Sequence, residues 1–315
     1  MKPSIMILNR LLELSGKQRL SIAFCPYKMA MWDCMEPVYA EALSRSGIRA
    51  EIIPLNFITY PDGQLHNERD AFIFAGFNAL PLAALRAHSH DYIIIHYPYD
   101  QHNNVTSMTP ECCSDSLRSF GEVVYIPYHG NIAGPEWSRF YATAGANNCN
   151  YICLGSDQDV AAFLERNPGR EHKVIQTDGS TKAECAELHR DDPIPKQYKE
   201  LTHPVTLICG TLHTFTRDPY ERMLMHKLAI DAEKAKGNAV IYRPHPLVYE
   251  AIAVMCPKAL EDYNKFLEGV ADTVDVLDST PFLHQAMRVA DKLICDPSSV
   301  QRTWAGTGKP IEVIK

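Results

Sequence analysis

Two short segments in the second half of the chain combine residue types that bind phosphate. Arg-Pro-His-Pro at 243–246 ends one apolar run, and Asp-Pro-Ser-Ser at 296–299 directly follows another. A guanidinium is a planar fork for phosphate oxygens, an imidazole can donate to a leaving phosphate, and hydroxyls add donors at a helix start. Acting together, these groups would bind a diphosphate.

Each segment also has a purely structural interpretation. The prolines could stiffen a turn that carries a solvent-exposed Arg243 and a structural His245. Ser298 or Ser299 could serve only as a helix N-cap. Because the two segments lie one β-α unit apart in the predicted sheet, their combination favours an anion site.

The first half of the chain offers a candidate base and a set of polar side chains. His129 follows an apolar run and precedes Gly130, so its imidazole could enter a cleft and act as a base, although a structural histidine is the competing interpretation. Asp33 could equally be a first-turn helix charge. We expect five residues at the cleft edge of the first sheet, where they could bind acceptor hydroxyls or phosphate: Lys28, Asp33, Asp100, His102 and Asn103.

The elements that position these residues alternate between strand and helix. Short apolar runs separated by helical patterns predict parallel sheets covered on both faces. A polar, proline-rich stretch at 191–204 predicts the boundary between a first domain at 1–195 and a second domain at 196–315. The predicted fold class is therefore α/β, with two tandem doubly wound domains that face a ligand cleft. The predicted strands are Leu20–Cys25, Ala50–Leu55, Tyr92–Tyr97, Val123–Tyr128, Tyr151–Leu154, Val174–Gln176, Val205–Cys209, Ala239–Arg243, Val274–Leu277, Lys292–Cys295 and Pro310–Ile314.

Composition excludes several classes of protein. Of 315 residues, 46% are hydrophobic and 22% are charged, which argues against disordered, collagen-like and coiled-coil chains. The net charge of -7 argues against a broad nucleic-acid surface. The first residues predict an amphipathic helix and not a signal peptide, and no run is long enough to span a bilayer, although attachment to a membrane surface stays open.

The sequence predicts no metal site. The ten cysteines form no C-x-x-C pair or Cys/His quartet, so we expect reduced core thiols in a cytoplasmic protein. The Ser-Asp-Gln-Asp segment at 156–159 is expected to cap a helix, although it imitates a D-x-D motif. The Gly-Thr-Gly-Lys segment at 306–309 is expected to be a helix-to-strand turn and not a phosphate loop.

Four segments together resemble a known family. IYRPHPL, LDSTPFLHQAMRVADKLICDPSSVQRTWAGTGKPI, FCPYKMAMWDCMEPVY and HYPYDQHNNVTS resemble bacterial CDP-glycerol glycerophosphotransferases and their teichoic-acid-type polymerase and primase relatives. The resemblance runs from Ile22 to Ile314. It implies a GT-B-type fold of two Rossmann-like domains, with CDP held mainly by the second and the acceptor by the first.

The resemblance also implies roles for individual residues. Arg243 and His245 match the family loop that faces the donor diphosphate. Ser298 and Ser299 match its serine pair, and Gly210 with Thr211 occupies the place of its donor-side loop. His129 matches the candidate base of a His-Gly motif, but this chain continues with Asn131-Ile132 where the family has Thr-Pro-Leu-Lys.

The implied reaction transfers glycerol phosphate from CDP-glycerol to a hydroxyl of a cell-wall or capsular polymer and releases CMP. The implied partners are a CDP-alcohol donor and a polyol-phosphate or glycan acceptor that could be lipid-linked, with no nucleic acid, cofactor or required metal. The implied location is the cytoplasm, with attachment at the inner membrane face left open. Two alternatives also stay open: a GT-B glycosyltransferase that uses a nucleotide-sugar, and a non-catalytic homologue that binds nucleotide or polymer.

Overall fold

The structure is a computed structural model that describes residues 1–130 and 135–314. The Asn131-Ile132 departure from the family motif lies outside these described residues. The strands are β1 (Leu20–Cys25), β2 (Ile48–Ile52), β3 (Phe57–Thr59), β4 (Gln64–His66), β5 (Tyr92–Ile95), β6 (Thr106–Met108), β7 (Glu122–Tyr125), β8 (Tyr151–Leu154), β9 (Val174–Gln176), β10 (Val205–Cys209), β11 (Ala239–Arg243), β12 (Val276–Leu277), β13 (Lys292–Cys295) and β14 (Ile311–Val313).

Helices connect most of these strands. The α-helices are α1 (Pro3–Ser15), α2 (Glu36–Leu43), α3 (Arg69–Phe74), α4 (Ala84–Ala87), α5 (Ser114–Leu117), α6 (Ala144–Asn148), α7 (Asp157–Arg166), α8 (Thr181–Leu188), α9 (Leu212–Arg217), α10 (Pro219–Ala235), α11 (Val248–Met255), α12 (Leu260–Thr273), α13 (Leu283–Val289) and α14 (Val300–Ala305). Short 3-10 helices cover Met29–Cys34, Pro110–Cys112, Pro135–Ala142, Glu171–Lys173, Lys196–Tyr198 and Pro257–Ala259. None of the helices in the described ranges has both the length and the apolar character needed to cross a bilayer.

The chain divides into two compact units. The first comprises Met1–Thr59 and Gly63–Leu188, and the second comprises Tyr60–Asp62 and His189–Lys315. The first unit holds a six-stranded parallel sheet in the order β2-β1-β5-β7-β8-β9, together with a small antiparallel sheet in the order β4-β3-β6. The second unit holds a five-stranded parallel sheet in the order β12-β11-β10-β13-β14. Both large sheets are doubly wound.

The core of the second unit explains why its central strands are continuously apolar. Every residue of β10 and β11 is buried, because helices cover both faces of the sheet. One face packs against Met287 of α13 and Trp304 of α14. The other face packs against Ile230 of α10 and Val270 of α12. The strands are thereby held in place from both sides.

All ten cysteines lie in the described part of the chain and are free thiols. Nine are buried and Cys256 is half-buried. Burial raises the pKa of the Cys149 thiol to about 12, although the nearby Lys173 opposes the shift. The thiols contribute apolar packing, as predicted from their positions in apolar runs.

Candidate functional site

The second sheet reverses its strand order at β10. The chain extends from β10 to β11 and β12, then returns to add β13 and β14 on the opposite side of β10. Open parallel sheets bind ligands at such a reversal, beyond the carboxyl ends of the strands. The end of β11 and the segments that follow β10, β11 and β13 carry the predicted donor-side residues Gly210, Thr211, Arg243, His245, Ser298 and Ser299.

Backbone contacts bring the three strand ends level with one another. Cys209 pairs in register with both Arg243 and Cys295. The Gly210 amide donates to the carbonyl of Arg243 at 3.3 Å, and the Asp296 amide donates to the carbonyl of Cys209 at 3.3 Å. The structure therefore brings together the three segments that the sequence predicts to bind the donor.

Arg243 is held by a buried carboxylate. Its Nη1 donates to Asp278 Oδ2 at 2.6 Å and to Thr280 Oγ1 at 3.3 Å. The Arg243 and Asp278 side chains are 8% and 0% exposed. Within the described residues, Nε and Nη2 of Arg243 make no hydrogen bond, and neither atom is completely buried. Two sides of the guanidinium therefore stay available to a ligand.

His245 has a defined tautomer when neutral. The Leu247 amide donates to its Nδ1 at 3.1 Å, so that nitrogen is the acceptor and Nε2 carries the proton. The Val248 amide donates to the carbonyl of His245 at 3.0 Å, which closes the turn that leads into α11. His245 can therefore act as a hydrogen-bond donor just beyond the end of β11.

Asp296 connects the β13 end to the β10 loop and to α10. Its Oδ2 accepts from the Thr211 amide at 2.9 Å and from the Thr214 hydroxyl at 2.7 Å. Its Oδ1 contacts Arg222 Nη1 at 3.0 Å and His226 Nε2 at 3.2 Å. Burial opposes ionisation of this fully buried carboxylate, but the hydrogen bonds from these donors outweigh it, so the pKa of Asp296 lies below its ordinary value.

The serine pair is not used for helix capping. Ser299 is the N-cap residue of α14, yet its hydroxyl makes no capping hydrogen bond. Neither Ser298 nor Ser299 has a hydrogen-bonded hydroxyl within the described residues, and both residues are half-buried. The two hydroxyls therefore have free hydrogen-bonding capacity beside the β13 end.

Gly210 has a packing reason to be glycine. A Cβ at this position would lie 2.8 Å from Phe215 Cε2 and 3.3 Å from His226 Cε1. The β10 loop therefore passes directly over two aromatic rings. This close approach accounts for the glycine without invoking a ligand.

In the first unit, His129 is oriented by its own loop. Its Nδ1 lies 2.8 Å from the carbonyl oxygen of Gly130, which can only accept, so Nδ1 carries a proton and Nε2 is the basic nitrogen of the neutral ring. The imidazole packs against Phe140, with ring centroids 5.1 Å apart, and is 9% exposed as a residue. The neutral ring therefore has its lone pair on Nε2, but that atom is enclosed among the described residues, so the geometry does not by itself present it to a substrate.

Three of the five acceptor-side candidates, Asp100, His102 and Asn103, share the loop between β5 and β6, but within the described residues no hydrogen bond or ion pair joins any two of the five. Lys28 Nζ lies 5.3 Å from the Phe57 ring centroid. Asp100 accepts from the Ser114 amide and hydroxyl at the start of α5.

The other three candidates differ in their contacts and exposure. Asn103 Oδ1 accepts from the Val105 amide within a turn. Asp33 forms a 3.0 Å ion pair with Lys182 of α8. His102 is exposed. These contacts account for Asp33, Asp100 and Asn103 structurally, and the acceptor-side role of all five residues stays a prediction.

Sequence reasoning missed Arg222, Lys182 and His96. Arg222 lies four residues before His226 on α10, so both side chains project from the same side of that helix. This spacing of two ionisable residues was the sequence signal that could have identified Arg222. His96 directly follows β5. Its Nε2 accepts from the Tyr27 amide at 2.8 Å, and burial, together with the charge of Lys182, lowers the pKa of His96 to about 3.

No protein-family model matches this sequence, and no curated protein sequence matches it. Solved structures do match the fold. The UDP-GlcNAc 2-epimerase from Neisseria meningitidis bound to UDP-GlcNAc matches with a TM-score of 0.63 and 13% identity, over 94% of this chain and 83% of that chain. The chain has a GT-B fold.

Two further structures share this architecture. The UDP-GlcNAc 2-epimerase from Methanocaldococcus jannaschii, in complex with UDP-GlcNAc and UDP, has a TM-score of 0.62 and 11% identity, over 93% of this chain and 83% of that chain. The wall teichoic acid polymerase TagF soaked with CDPG has a TM-score of 0.50 and 12% identity, over 97% of this chain and 75% of that chain. At these identities the matches show the fold and confirm the predicted fold class, but not the reaction.

Proposed function

We propose that this protein transfers glycerol phosphate from CDP-glycerol to a hydroxyl of a cell-wall or capsular polymer and releases CMP. The observation that carries the proposal is the meeting of Arg243, His245 and the 296–299 segment at the order reversal of the second sheet. These same residues form the motif that resembles the glycerophosphotransferases. The shared fold with TagF, which was soaked with CDPG, supports this donor class.

Oriented donors would hold the diphosphate. Arg243 offers Nε and Nη2, Ser298 and Ser299 offer hydroxyls, and we assign His245 to the same diphosphate from its place just beyond β11. Because Asp278 neutralises Arg243, the site has little excess charge, and fixed hydrogen-bond donors would stabilise the anionic transition state. We propose that the reaction needs no metal ion.

The chemical step would be a substitution at phosphorus. The acceptor oxygen forms a bond to the β-phosphorus of CDP-glycerol, and the bond from that phosphorus to the bridging oxygen breaks. CMP leaves with the bridging oxygen and its electron pair. We propose from the family resemblance that His129 takes the acceptor proton; because Nδ1 already donates to the Gly130 carbonyl, the proton would go to Nε2, which is enclosed and must become accessible for this step.

A nucleotide-sugar reaction is the second candidate. The observation that favours it is the higher TM-score of the UDP-GlcNAc 2-epimerases, 0.63 and 0.62, compared with 0.50 for TagF. A nucleotide-sugar glycosyltransferase would break the bond at the anomeric carbon. The released nucleotide would then be a diphosphate, not CMP.

Binding followed by product identification separates these candidates. A thermal-shift screen should show stabilisation by CDP-glycerol, CDP and CMP and less stabilisation by UDP and GDP, because a ligand bound by the native state raises the melting temperature. Incubation with CDP-glycerol and polyol-phosphate acceptors should release CMP, with EDTA present or absent.

Three results would overturn the proposal in different ways. Release of UDP from UDP-GlcNAc would favour the nucleotide-sugar reaction. CDP binding with no product from any acceptor would indicate a non-catalytic homologue. If none of the nucleotides binds, the proposed donor site does not exist.

A further inference from the structure

Arg222 lies beside the predicted donor loops but belongs to none of the motifs. It projects from α10, and its Nη1 is 3.0 Å from Asp296 Oδ1. The other oxygen of the same carboxylate accepts from the Thr211 amide in the β10 loop at 2.9 Å. The Asp296 carboxylate therefore bridges the Arg222 guanidinium and the β10 loop to which we assign donor binding.

Part of this guanidinium is available for a ligand. The side chain of Arg222 is 13% exposed, whereas Asp296 is 0% exposed. Within the described residues, Nε and Nη2 of Arg222 make no hydrogen bond, and neither atom is completely buried. These nitrogens can therefore donate to a group that approaches the ends of β10 and β13.

The arrangement repeats the one at Arg243. In both cases Nη1 is held by a carboxylate whose side chain is 0% exposed, while Nε and Nη2 remain available. Arg243 belongs to β11 and Asp296 follows β13, and these strands flank β10 on opposite sides. Two arginines are thus held beside the strand at which the sheet order reverses.

We propose that Arg222 is a second phosphate-binding residue of the donor site and that Asp296 is the residue that positions it. This inference rests on the proposed function. A fixed guanidinium loses little conformational freedom when a phosphate binds, and its planar fork matches two phosphate oxygens. With Arg243 it would supply two such forks to the donor diphosphate.

A purely structural role for Arg222 predicts a different outcome. Asp296 has other donors in Thr211, Thr214 and His226, so an arginine that only neutralised this carboxylate would affect stability and not phosphate recognition. The comparison of a nucleoside with its nucleotide separates the two roles. Cytidine carries the base and ribose alone, whereas CDP adds the diphosphate.

The test is calorimetric titration of the full chain with cytidine, CMP and CDP. Arg222→Ala should weaken CDP binding about 10- to 100-fold, the size of a lost charge-assisted hydrogen bond, and leave cytidine binding unchanged. Arg222→Lys should recover part of the CDP affinity, because it keeps the charge but not the fork. Lys227→Ala is the matched control, since this lysine is exposed on the same helix and pairs with Asp231.

Each result bears on the proposal. Equal CDP-to-cytidine affinity ratios in wild type and Arg222→Ala would overturn it while leaving the proposed function intact. If Arg222→Ala fails to fold, Arg222→Lys, which can still contact Asp296, decides the matter by the same ratio. If the wild type prefers UDP, the comparison is made with uridine and UDP. A wild type that binds no nucleotide would overturn both the inference and the proposed function.

Discussion

Arg243, the last residue of β11, is held at the end of its strand by its ion pair with Asp278. The carboxylate also accepts from the Thr280 amide at 2.9 Å and from the Thr280 hydroxyl at 2.8 Å. A buried charge with several donors is held in one geometry, and so is the cation that it binds. The position of this guanidinium is therefore fixed before any ligand binds.

The Arg243→Lys variant tests what the guanidinium fork contributes. Lysine can keep the ion pair with Asp278 but cannot present two further planar N–H groups. We expect turnover of CDP-glycerol to fall by about 10²- to 10³-fold, as on removal of a donor to developing charge. The melting temperature should stay close to that of the wild type, and CMP release is the measurement.

The matched control is Arg10→Lys on α1, where the arginine forms an exposed pair with Glu13. It should change neither turnover nor stability. Wild-type turnover in Arg243→Lys would exclude the fork from the reaction. Arg243→Ala is less suitable, because it leaves Asp278 buried without its cation, at a cost of about 3–5 kcal/mol in stability.

At the residue scale the motifs select candidate loops but do not predict how their side chains are held. Arg243 and the Asp-Pro-Ser-Ser segment could be selected from type and spacing alone. Asp278 lies 35 positions from Arg243, and Arg222 lies 74 positions from Asp296. Such distant pairs depend on strand order and helix rotation, which local patterns do not specify.

At the scale of elements, α10 connects the candidate site to the core. Its first turns contribute Arg222 and His226 to Asp296, and its last turn contributes Glu233. Oε2 of Glu233 accepts from the Thr206 hydroxyl of β10 at 2.8 Å, and Oε1 contacts Lys292 of β13 at 3.1 Å. One helix therefore fixes the two strands between which the sheet order reverses.

Glu233 should give this helix a measurable pH dependence. Burial opposes its ionisation, but hydrogen bonds from Lys236, Thr206 and other donors outweigh it and lower the pKa of Glu233 to about 2. Because the unfolded-state pKa is about 4.3, this contribution to stability is present above that pH and is lost as pH falls toward 2. It amounts to about 2–3 kcal/mol.

Urea unfolding between pH 2 and pH 7 measures this effect. Glu233→Gln should be less stable than the wild type at pH 7, and the difference should shrink toward pH 2. Glu261→Gln serves as the control, because Glu261 is exposed on α12, where it pairs with Lys265. A stability difference for Glu233→Gln that stays constant with pH would contradict the prediction.

Strongly apolar elements were predicted most accurately. Strands β1, β8, β9, β10, β11 and β13 begin and end where the sequence patterns placed them. The predicted strand at 123–128 ends early, at Tyr125, because its last residues enter the loop that carries His129. The helical segment between β11 and β12 is divided at Pro257, which supports only a short 3-10 turn between α11 and α12.

The antiparallel sheet of β3, β4 and β6 was not predicted. Each of its strands has three residues, too few to show an alternating pattern. Its pairing joins Phe57 to Met108, so the sheet depends on contacts between distant segments.

At the scale of the whole molecule, both units have a doubly wound parallel sheet, but the residues that we propose to bind the donor all belong to the second unit. Hydrogen exchange measured by mass spectrometry can locate nucleotide binding without any mutation. We expect CDP to slow exchange in segments 210–214, 244–248 and 296–300, which contain the loops at the reversal of the second sheet. Saturating CDP that protects only segments of the first unit would contradict this assignment.

The burial of nearly every thiol has a practical consequence for handling this protein. Alkylating reagents attack the thiolate, and burial suppresses both access and ionisation. In the native state nine of the ten thiols are buried. Cys256 is half-buried, and its Sγ donates to the Thr216 carbonyl at 3.1 Å. Maleimide should therefore modify few sites while the chain is native and all ten after denaturation, so mass increments along a time course would report how often the interior opens.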